Sequence, residues 1–128
     1  MIHRDVTGVP LQFTREQIES MMDALPPEHR QLAKELAETI VAPHEIWQAW
    51  VRDENNQGQW QKTRSYLRFL DLAHLDIGAP FGATVVKFAY SAAWELASIG
   101  ILLGTYDDVA DQMETIRSGS IEYSIQRQ

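Results

Sequence analysis

The chain has 128 residues, of which 45% are hydrophobic and 23% are charged, and its formal net charge is −7 at pH 7. These values are typical of one soluble globular domain with a single core, which we expect to span residues 1–128. The acidic balance argues against non-specific coating of nucleic acid, because proteins with that role have broadly basic surfaces. The absence of cysteine excludes disulfides, thiolate metal sites and cysteine nucleophiles. No apolar run approaches the roughly 20 residues that a membrane span needs, so we expect no membrane partner.

Two helices are predicted before Pro43, after a short strand or docked arm within residues 1–13. Thr14 and Gln17 have the spacing of a capping box, which marks the start of the first helix. Pro26 and Pro27 end that helix, and Pro27 also suits the first turn of the second helix. Apolar stripes at helical spacing support both helices: Ile18, Met21, Met22 and Leu25, then Leu32, Leu36, Ala37 and Ile40.

After Pro43 the helical period gives way to short runs rich in aromatic and branched residues, which are typical of strands. Strands are predicted over residues 46–51, 61–72, 81–90 and 120–125, with a hairpin loop over 53–58 and a connection over 74–80. Residues 94–103 carry both helix and strand signals, and we assign a strand because strand 81–90 needs an antiparallel partner. A third helix is predicted over residues 106–116.

These elements predict an α+β protein in which two N-terminal helices pack on a mainly antiparallel sheet of four to five strands. Within the second predicted strand, alternation of side chains places Lys62, Arg64, Tyr66 and Arg68 on one face. If that face is uncovered, it can bind a phosphate backbone and stack a base. The alternative is an ordinary solvated strand face.

Metal-independent RNA cleavage needs a base for the 2′-hydroxyl proton, an acid for the leaving oxygen and fixed cations beside phosphorus. Glu45 is a candidate base, and His44 is a rival because histidine titrates near neutral pH. Arg64 is the favoured phosphate clamp, since its planar guanidinium binds two oxygens at once. Tyr66 or Tyr106 can stack a base or donate a hydrogen bond. Lys62, Arg68, Lys87 and Arg117 can add positive charge.

Each candidate has a structural alternative that the sequence leaves open. Glu45 can be an exposed carboxylate, Thr105 the N-cap of the last helix, and Arg117 a complement to the dipole at the C-terminus of that helix. His74 and Asp76 lack a third ligand for a metal site. The tryptophans are more typical of core or rim positions than of base platforms, and Trp60 is the one expected to be most exposed.

Four short motifs occur in a fixed order: Pro43-x-Glu45-Ile46-Trp47, Arg64-x-Tyr66-Leu67, Thr105-Tyr106 and Arg117-x-Gly119. This order resembles the phage branch of the barnase–EndoU–colicin–RelE nuclease superfamily, found at the C-termini of Mu-type minor head proteins and in toxins. The resemblance covers about residues 15–125. It implies a metal-independent ribonuclease-like domain without a cofactor, with helices on one sheet face and the active site on the other. It implies site residues at Glu45, Arg64, Tyr66, Thr105, Tyr106 and Arg117.

The resemblance also implies partners and a location. RNA, including tRNA or another structured RNA, is the expected substrate, and an immunity protein or a phage structural protein is the expected protein partner. The expected location is the cytoplasm or the phage virion. The main alternative is a non-catalytic module that docks to a phage head, and a second is a toxin masked by an immunity protein. An ADP-ribosyltransferase is disfavoured because no glycine-rich dinucleotide loop is present.

Overall fold

A computed structural model describes residues 2–53, 57–75 and 77–125. Within these ranges the chain forms seven strands and three α-helices. The strands are β1 (Ile2–Arg4), β2 (Pro10–Gln12), β3 (Glu45–Asp53), β4 (Gln59–Asp71), β5 (Phe81–Tyr90), β6 (Trp94–Gly104) and β7 (Ser120–Ser124). The helices are α1 (Arg15–Asp23), α2 (Ala33–Val41) and α3 (Tyr106–Ile116), and a 3-10 helix (Pro27–Leu32) precedes α2. The predicted hairpin loop and the predicted 74–80 connection lie partly outside the described residues.

All seven strands form one sheet, in the order β1-β2-β6-β5-β4-β3-β7. The β2–β6 pair is parallel, with Leu11 opposite Trp94, and the other pairs are antiparallel. The α+β class is therefore confirmed, but the predicted count of four to five strands is wrong. The N-terminal arm adds β1 and β2 to one edge, and strands of three residues are too short for alternation to be recognised in the sequence.

The local signals of the helices and of β6 are largely confirmed. Thr14 caps α1: the Gln17 N–H donates to Thr14 Oγ1 at 3.1 Å, and the Thr14 N–H donates to Gln17 Oε1 at 2.8 Å. Residues 94–103 lie in a strand, since β6 pairs with β5 over its whole length. Ala37 is exposed and does not belong to the apolar stripe of α2. In the described part of the chain, no helix has both the length and the apolarity needed to cross a membrane.

The two faces of the sheet carry different helices. Helices α1 and α2 cover one face, the α1/α2 face, where Tyr66, Val86 and Phe88 are fully buried. Helix α3 covers part of the opposite face, the α3 face, where Val109 and Met113 pack on the sheet. Burial of each large apolar side chain contributes about 1.5–3 kcal/mol, so both layers stabilise the central strands β4 and β5.

The predicted uncovered face of β4 is the α1/α2 face, and the expectation that it is open is wrong. Alternation correctly placed Arg64 and Tyr66 on one face, but the exposed fraction is 3% for Arg64 and 0% for Tyr66. Tyr66 lies in the core cluster beneath the helices, and Arg64 contacts Asp5 and Thr7 of the N-terminal segment. The pocket described next lies on the α3 face, opposite the two N-terminal helices.

Candidate active site

A carboxylate and a guanidinium meet where β3 begins and α3 ends. Arg117 Nε donates to Glu45 Oε1 at 2.9 Å, and Arg117 Nη2 donates to Glu45 Oε2 at 2.8 Å. Trp47, which shares the face of Glu45 because it is two residues further along β3, donates from Nε1 to Oε1 at 2.8 Å. The carboxylate is therefore held by three donors, and two of them form the bidentate geometry that binds carboxylates and phosphates most strongly.

This ion pair lies in a pocket of about 400 Å³ on the α3 face. The pocket is lined by Glu45, Arg117, Tyr106, Phe69, Phe81, Val109 and Ala110. The Arg117 guanidinium lies over the Phe69 ring at 5.4 Å, and the Tyr106 ring meets Phe81 edge-on at 5.2 Å. Tyr106 is 65% exposed. The pocket thus combines a fixed carboxylate, a cation and an accessible phenol.

His44 supports the pocket from beside it. The His44 ring stacks on Phe69 at 5.8 Å, and its Nδ1 accepts a hydrogen bond from the Phe69 N–H at 2.9 Å. Burial lowers the pKa of His44, and Arg68 lowers it further against the opposite effect of Glu45. The ring is therefore neutral at pH 7 and carries its proton on Nε2.

Two further candidates do not line the pocket. Thr105 caps α3: its Oγ1 accepts from the Asp108 N–H at 3.2 Å, and Asp108 Oδ2 accepts from the Thr105 N–H at 3.3 Å. That cap fixes the first turn of α3, where Tyr106 is located. Lys87 is half-buried on the α3 face, opposite Ser65 in β4.

Arg64 and Tyr66 belong to a buried network instead. Arg64 donates from Nη2 to Asp5 at 3.1 Å, from Nε to the Tyr66 hydroxyl at 3.0 Å and from Nη1 to Gln48 at 2.8 Å. The Tyr66 hydroxyl donates to Asp5, and Thr7 accepts a further bond from Arg64 at 3.0 Å. With these partners in place, neither Arg64 nor Tyr66 can reach a phosphate.

The pKa values of this network follow from burial and hydrogen bonding. Burial alone would raise the pKa of Asp5, but hydrogen bonds from Tyr66, Thr7, the Val9 N–H and Arg64 outweigh it and lower that pKa. Burial and the hydrogen bond to Asp5 raise the pKa of Tyr66. At neutral pH the network therefore holds one negative and one positive charge, which compensate each other inside the core.

The other two cations of the predicted basic face also have protein partners. Arg68 donates from Nη1 to the Ala42 carbonyl at 2.6 Å, and its Nε lies 3.6 Å from the Glu35 carboxylate. Lys62 lies among aromatic rings near the end of the β3–β4 hairpin, with its Nζ 5.4 Å from the centre of the Trp50 ring. Both lie on the α1/α2 face, away from the Glu45 pocket.

Sequence reasoning therefore selected Glu45, Arg117, Tyr106 and the neighbouring His44, which the structure brings together. It missed Trp47, Phe69 and Phe81. Alternation in β3 was a usable signal for Trp47, because it places residues 45 and 47 on one face. No pattern of neighbouring residues in the sequence indicates that Phe69 contacts Arg117 or that Phe81 contacts Tyr106. Within residues 2–53, 57–75 and 77–125, no three acidic or histidine side chains are grouped as metal ligands, and Asp76 lies outside those ranges.

Comparison with known protein families identifies a family for this chain. The family model described as phage-Barnase-EndoU-ColicinE5/D-RelE like nuclease2 matches residues 1–123. No curated protein and no solved structure matches the chain significantly. The match includes all the described residues that line the pocket.

Proposed function

Because the chain belongs to the phage-Barnase-EndoU-ColicinE5/D-RelE like nuclease2 family, we propose that it cleaves RNA without a metal ion in the Glu45 pocket. The observation that carries this proposal is the bidentate pair of Arg117 and Glu45 in a pocket whose mouth holds Tyr106. Transesterification of RNA requires a base, a fixed cation and a proton donor. Glu45, Arg117 and Tyr106 supply these groups in that order.

Glu45 acts as the general base. Its Oε1 accepts from Trp47 and Arg117, whereas its Oε2 accepts from Arg117. A carboxylate oxygen has two lone-pair positions, so Oε2 can accept the proton of a ribose 2′-hydroxyl. The 2′-oxygen then attacks phosphorus and the bond to the 5′-oxygen breaks. The products are a 2′,3′-cyclic phosphate and a 5′-hydroxyl end.

Arg117 binds the phosphate that reacts. Its Nε and Nη2 hold Glu45, while Nη1 faces the Glu114 carboxylate at 3.9 Å, and the Glu114 side chain is 75% exposed. An incoming phosphate can replace that weak surface contact with a direct hydrogen bond to Nη1. One guanidinium then connects the base to the phosphate and stabilises the charge that develops on phosphorus.

Tyr106 donates the proton that the departing 5′-oxygen requires, which balances the proton taken by Glu45. Its exposure at the mouth of the pocket leaves the phenol free to approach a substrate. His44 acts as a positioning residue, because its bond to the Phe69 N–H and its stacking on the Phe69 ring fix the floor beneath Arg117. This role differs from the rival assignment of His44 as the base.

The test is cleavage of an oligonucleotide that has one ribonucleotide within deoxyribonucleotides, with EDTA present. Wild-type protein is expected to cut only at the ribonucleotide and to leave a 2′,3′-cyclic phosphate, identified by mass spectrometry. Glu45→Gln is expected to reduce the rate at least about 100-fold, a typical loss for general acid–base catalysis. Glu16→Gln, at an exposed position of α1, is the matched control and should cut at the wild-type rate.

Three outcomes would reject the mechanism: activity that requires a divalent metal, cleavage of an all-deoxyribose strand, or full activity in Glu45→Gln. If no ribonuclease activity is found with any RNA, including tRNA, the domain acts as a non-catalytic interaction module. Thermal unfolding of each variant separates loss of catalysis from loss of fold.

A further inference from the structure

Exposed aromatic rings cluster on the α1/α2 face beyond the helices, at the end of the β3–β4 hairpin. Trp50 is 62% exposed, Trp60 is 65% exposed and Tyr90 is 45% exposed. These rings line a cavity of about 360 Å³ together with Lys62, Gln61 and Ser91. This volume is within the range of small-ligand pockets. The proposed active site uses none of these residues.

Cations alternate with the indoles across this hairpin. Trp50 lies opposite Lys62, and Arg52 lies opposite Trp60 in the β3–β4 register. Lys62 Nζ lies 5.4 Å from the Trp50 ring, 5.7 Å from the Tyr90 ring and 6.0 Å from the Trp94 ring. The Arg52 guanidinium lies beside Gly58, where the chain turns into β4. Trp50 therefore has a positive charge next to its ring, and Arg52 adds a second cation across the hairpin from Trp60.

We infer that this surface, the hairpin patch of Trp50, Arg52, Trp60, Lys62 and Tyr90, binds single-stranded RNA by stacking its bases. Exposed aromatic rings with interleaved cations bind bases by stacking and the backbone by charge, without regard to sequence. A protein partner is disfavoured because lysine is depleted at the centre of protein–protein interfaces, whereas Lys62 lies at the centre of this one. Among the described residues that line the cavity, Lys62 is the one charged side chain and none is acidic, a lining that is compatible with a phosphate backbone.

The inference rests on the proposed function, because it names single-stranded RNA as the substrate class. The hairpin patch lies on the opposite sheet face from the Glu45 pocket, and Trp50 is about 17 Å along β3 from Glu45. Strand β7 pairs with β3 from Glu45 to Gln48. Beyond Gln48, among the described residues, no strand covers the outer edge of β3. A single strand of RNA can pass around that edge from the patch to the pocket.

The experiment measures binding of a fluorescein-labelled 2′-O-methyl oligoadenylate by fluorescence anisotropy at several salt concentrations. This probe has the shape of RNA but no free 2′-hydroxyl, so the protein cannot cleave it by the proposed route. Trp60→Ala is expected to weaken binding about tenfold, and Trp60→Phe less, because phenylalanine keeps a ring for stacking. Lys62→Gln is expected to reduce the slope of log affinity against log salt by about 0.7, which corresponds to one lost phosphate contact. Lys34→Gln, at an exposed position of α2, is the matched control and should leave affinity and slope unchanged.

The inference is overturned if Trp50→Ala and Trp60→Ala bind the probe as tightly as wild type, or if wild type binds a duplex of the same length more tightly than the single strand. It is also overturned if light scattering shows a dimer that Trp60→Ala dissociates, since the patch is then an interface between copies. If the protein does not cleave RNA but binds the probe through Trp60, the result contradicts the proposed catalysis and supports this inference. If the protein cleaves RNA but binds the probe independently of the patch, the result contradicts this inference and supports the proposed catalysis.

Discussion

Arg117 and Glu45 are 72 residues apart in the sequence, and two parallel hydrogen bonds join their side chains. The pair connects the end of α3 to the start of β3, two of the elements that contribute to the pocket. Its side chains are 29% and 15% exposed, so water screens the interaction less than it would on an open surface. The pair therefore supports both the local fold and the proposed chemistry.

Arg117→Lys separates the charge of Arg117 from its geometry. Lysine keeps the positive charge but cannot form two parallel bonds to one carboxylate. We expect the rate of RNA cleavage to fall about 100-fold and the free energy of unfolding to fall by about 1 kcal/mol. Single-turnover kinetics and urea denaturation measure the two effects, with Arg15→Lys at an exposed position of α1 as the control. Wild-type cleavage by Arg117→Lys would remove Arg117 from the mechanism.

The stability of the protein should depend on pH through His44. Because the pKa of His44 is lowered in the folded state, the unfolded chain binds a proton first as pH falls. The stabilisation from neutral His44 is therefore complete above the ordinary histidine pKa of about 6.5 and is lost as pH falls from there through the folded value. His44→Asn keeps an acceptor near the position of Nδ1 but does not titrate. We expect wild type to lose more stability than His44→Asn between pH 7.5 and pH 5.5, measured by urea denaturation, and equal losses would contradict the assignment.

Alternation and capping signals in the sequence were sufficient to place most elements, because they depend on neighbouring residues. The Thr14 and Gln17 capping box, strand β5 and helix α3 are found where the sequence predicts them. The same rule correctly put Arg64 and Tyr66 on one face of β4. Alternation does not indicate which face of β4 the helices cover, because β4 carries apolar and polar residues on both faces.

The N-terminal segment explains why Arg64 was wrongly predicted to be a site residue. The partner that buries Arg64 is Asp5, 59 residues earlier in the chain, and no local pattern connects them. Without Asp5, a guanidinium on a strand is correctly expected to face water, because burying an unpaired charge is costly. The partner of Glu45 is 72 residues away, so the sequence indicated some members of the pocket but not the pairs that they form.

Removal of the Asp5 charge should destabilise the fold strongly. Asp5→Asn leaves the Arg64 charge buried without a counter-ion, which costs about 3–5 kcal/mol in comparable buried pairs. Because the pKa of Asp5 is lowered in the folded protein, its stabilisation is present above the ordinary aspartate pKa of about 4 and is lost as pH falls through the folded value. Urea denaturation at pH 7 measures the loss, with Glu19→Gln in the exposed Arg15 pair as a control expected to change stability by less than about 0.5 kcal/mol. Equal effects of the two substitutions would contradict a structural role for the buried network.

Gly119 fixes the distance between β7 and β3, and its replacement tests whether that distance controls the pocket. Gly119 has a φ of +83°, and a Cβ at this position would lie 2.1 Å from the Gln48 carbonyl oxygen and 2.8 Å from the Ala49 Cα. Because both neighbours are backbone atoms, no change of rotamer relieves the clash in Gly119→Ala. Strand β7 must move away from β3, and Arg117, two residues earlier, moves with it.

We therefore expect Gly119→Ala to lower the free energy of unfolding by more than about 1 kcal/mol and to reduce RNA cleavage at temperatures where the protein remains folded. Gly100→Ala is the matched control, since a Cβ at Gly100 meets no atom within 4 Å, and its stability should change by less than about 1 kcal/mol. Circular dichroism confirms the folded fraction at the temperature of each assay. If folded Gly119→Ala cleaved RNA at the wild-type rate, the contact between Arg117 and Glu45 would not depend on how closely β7 approaches β3.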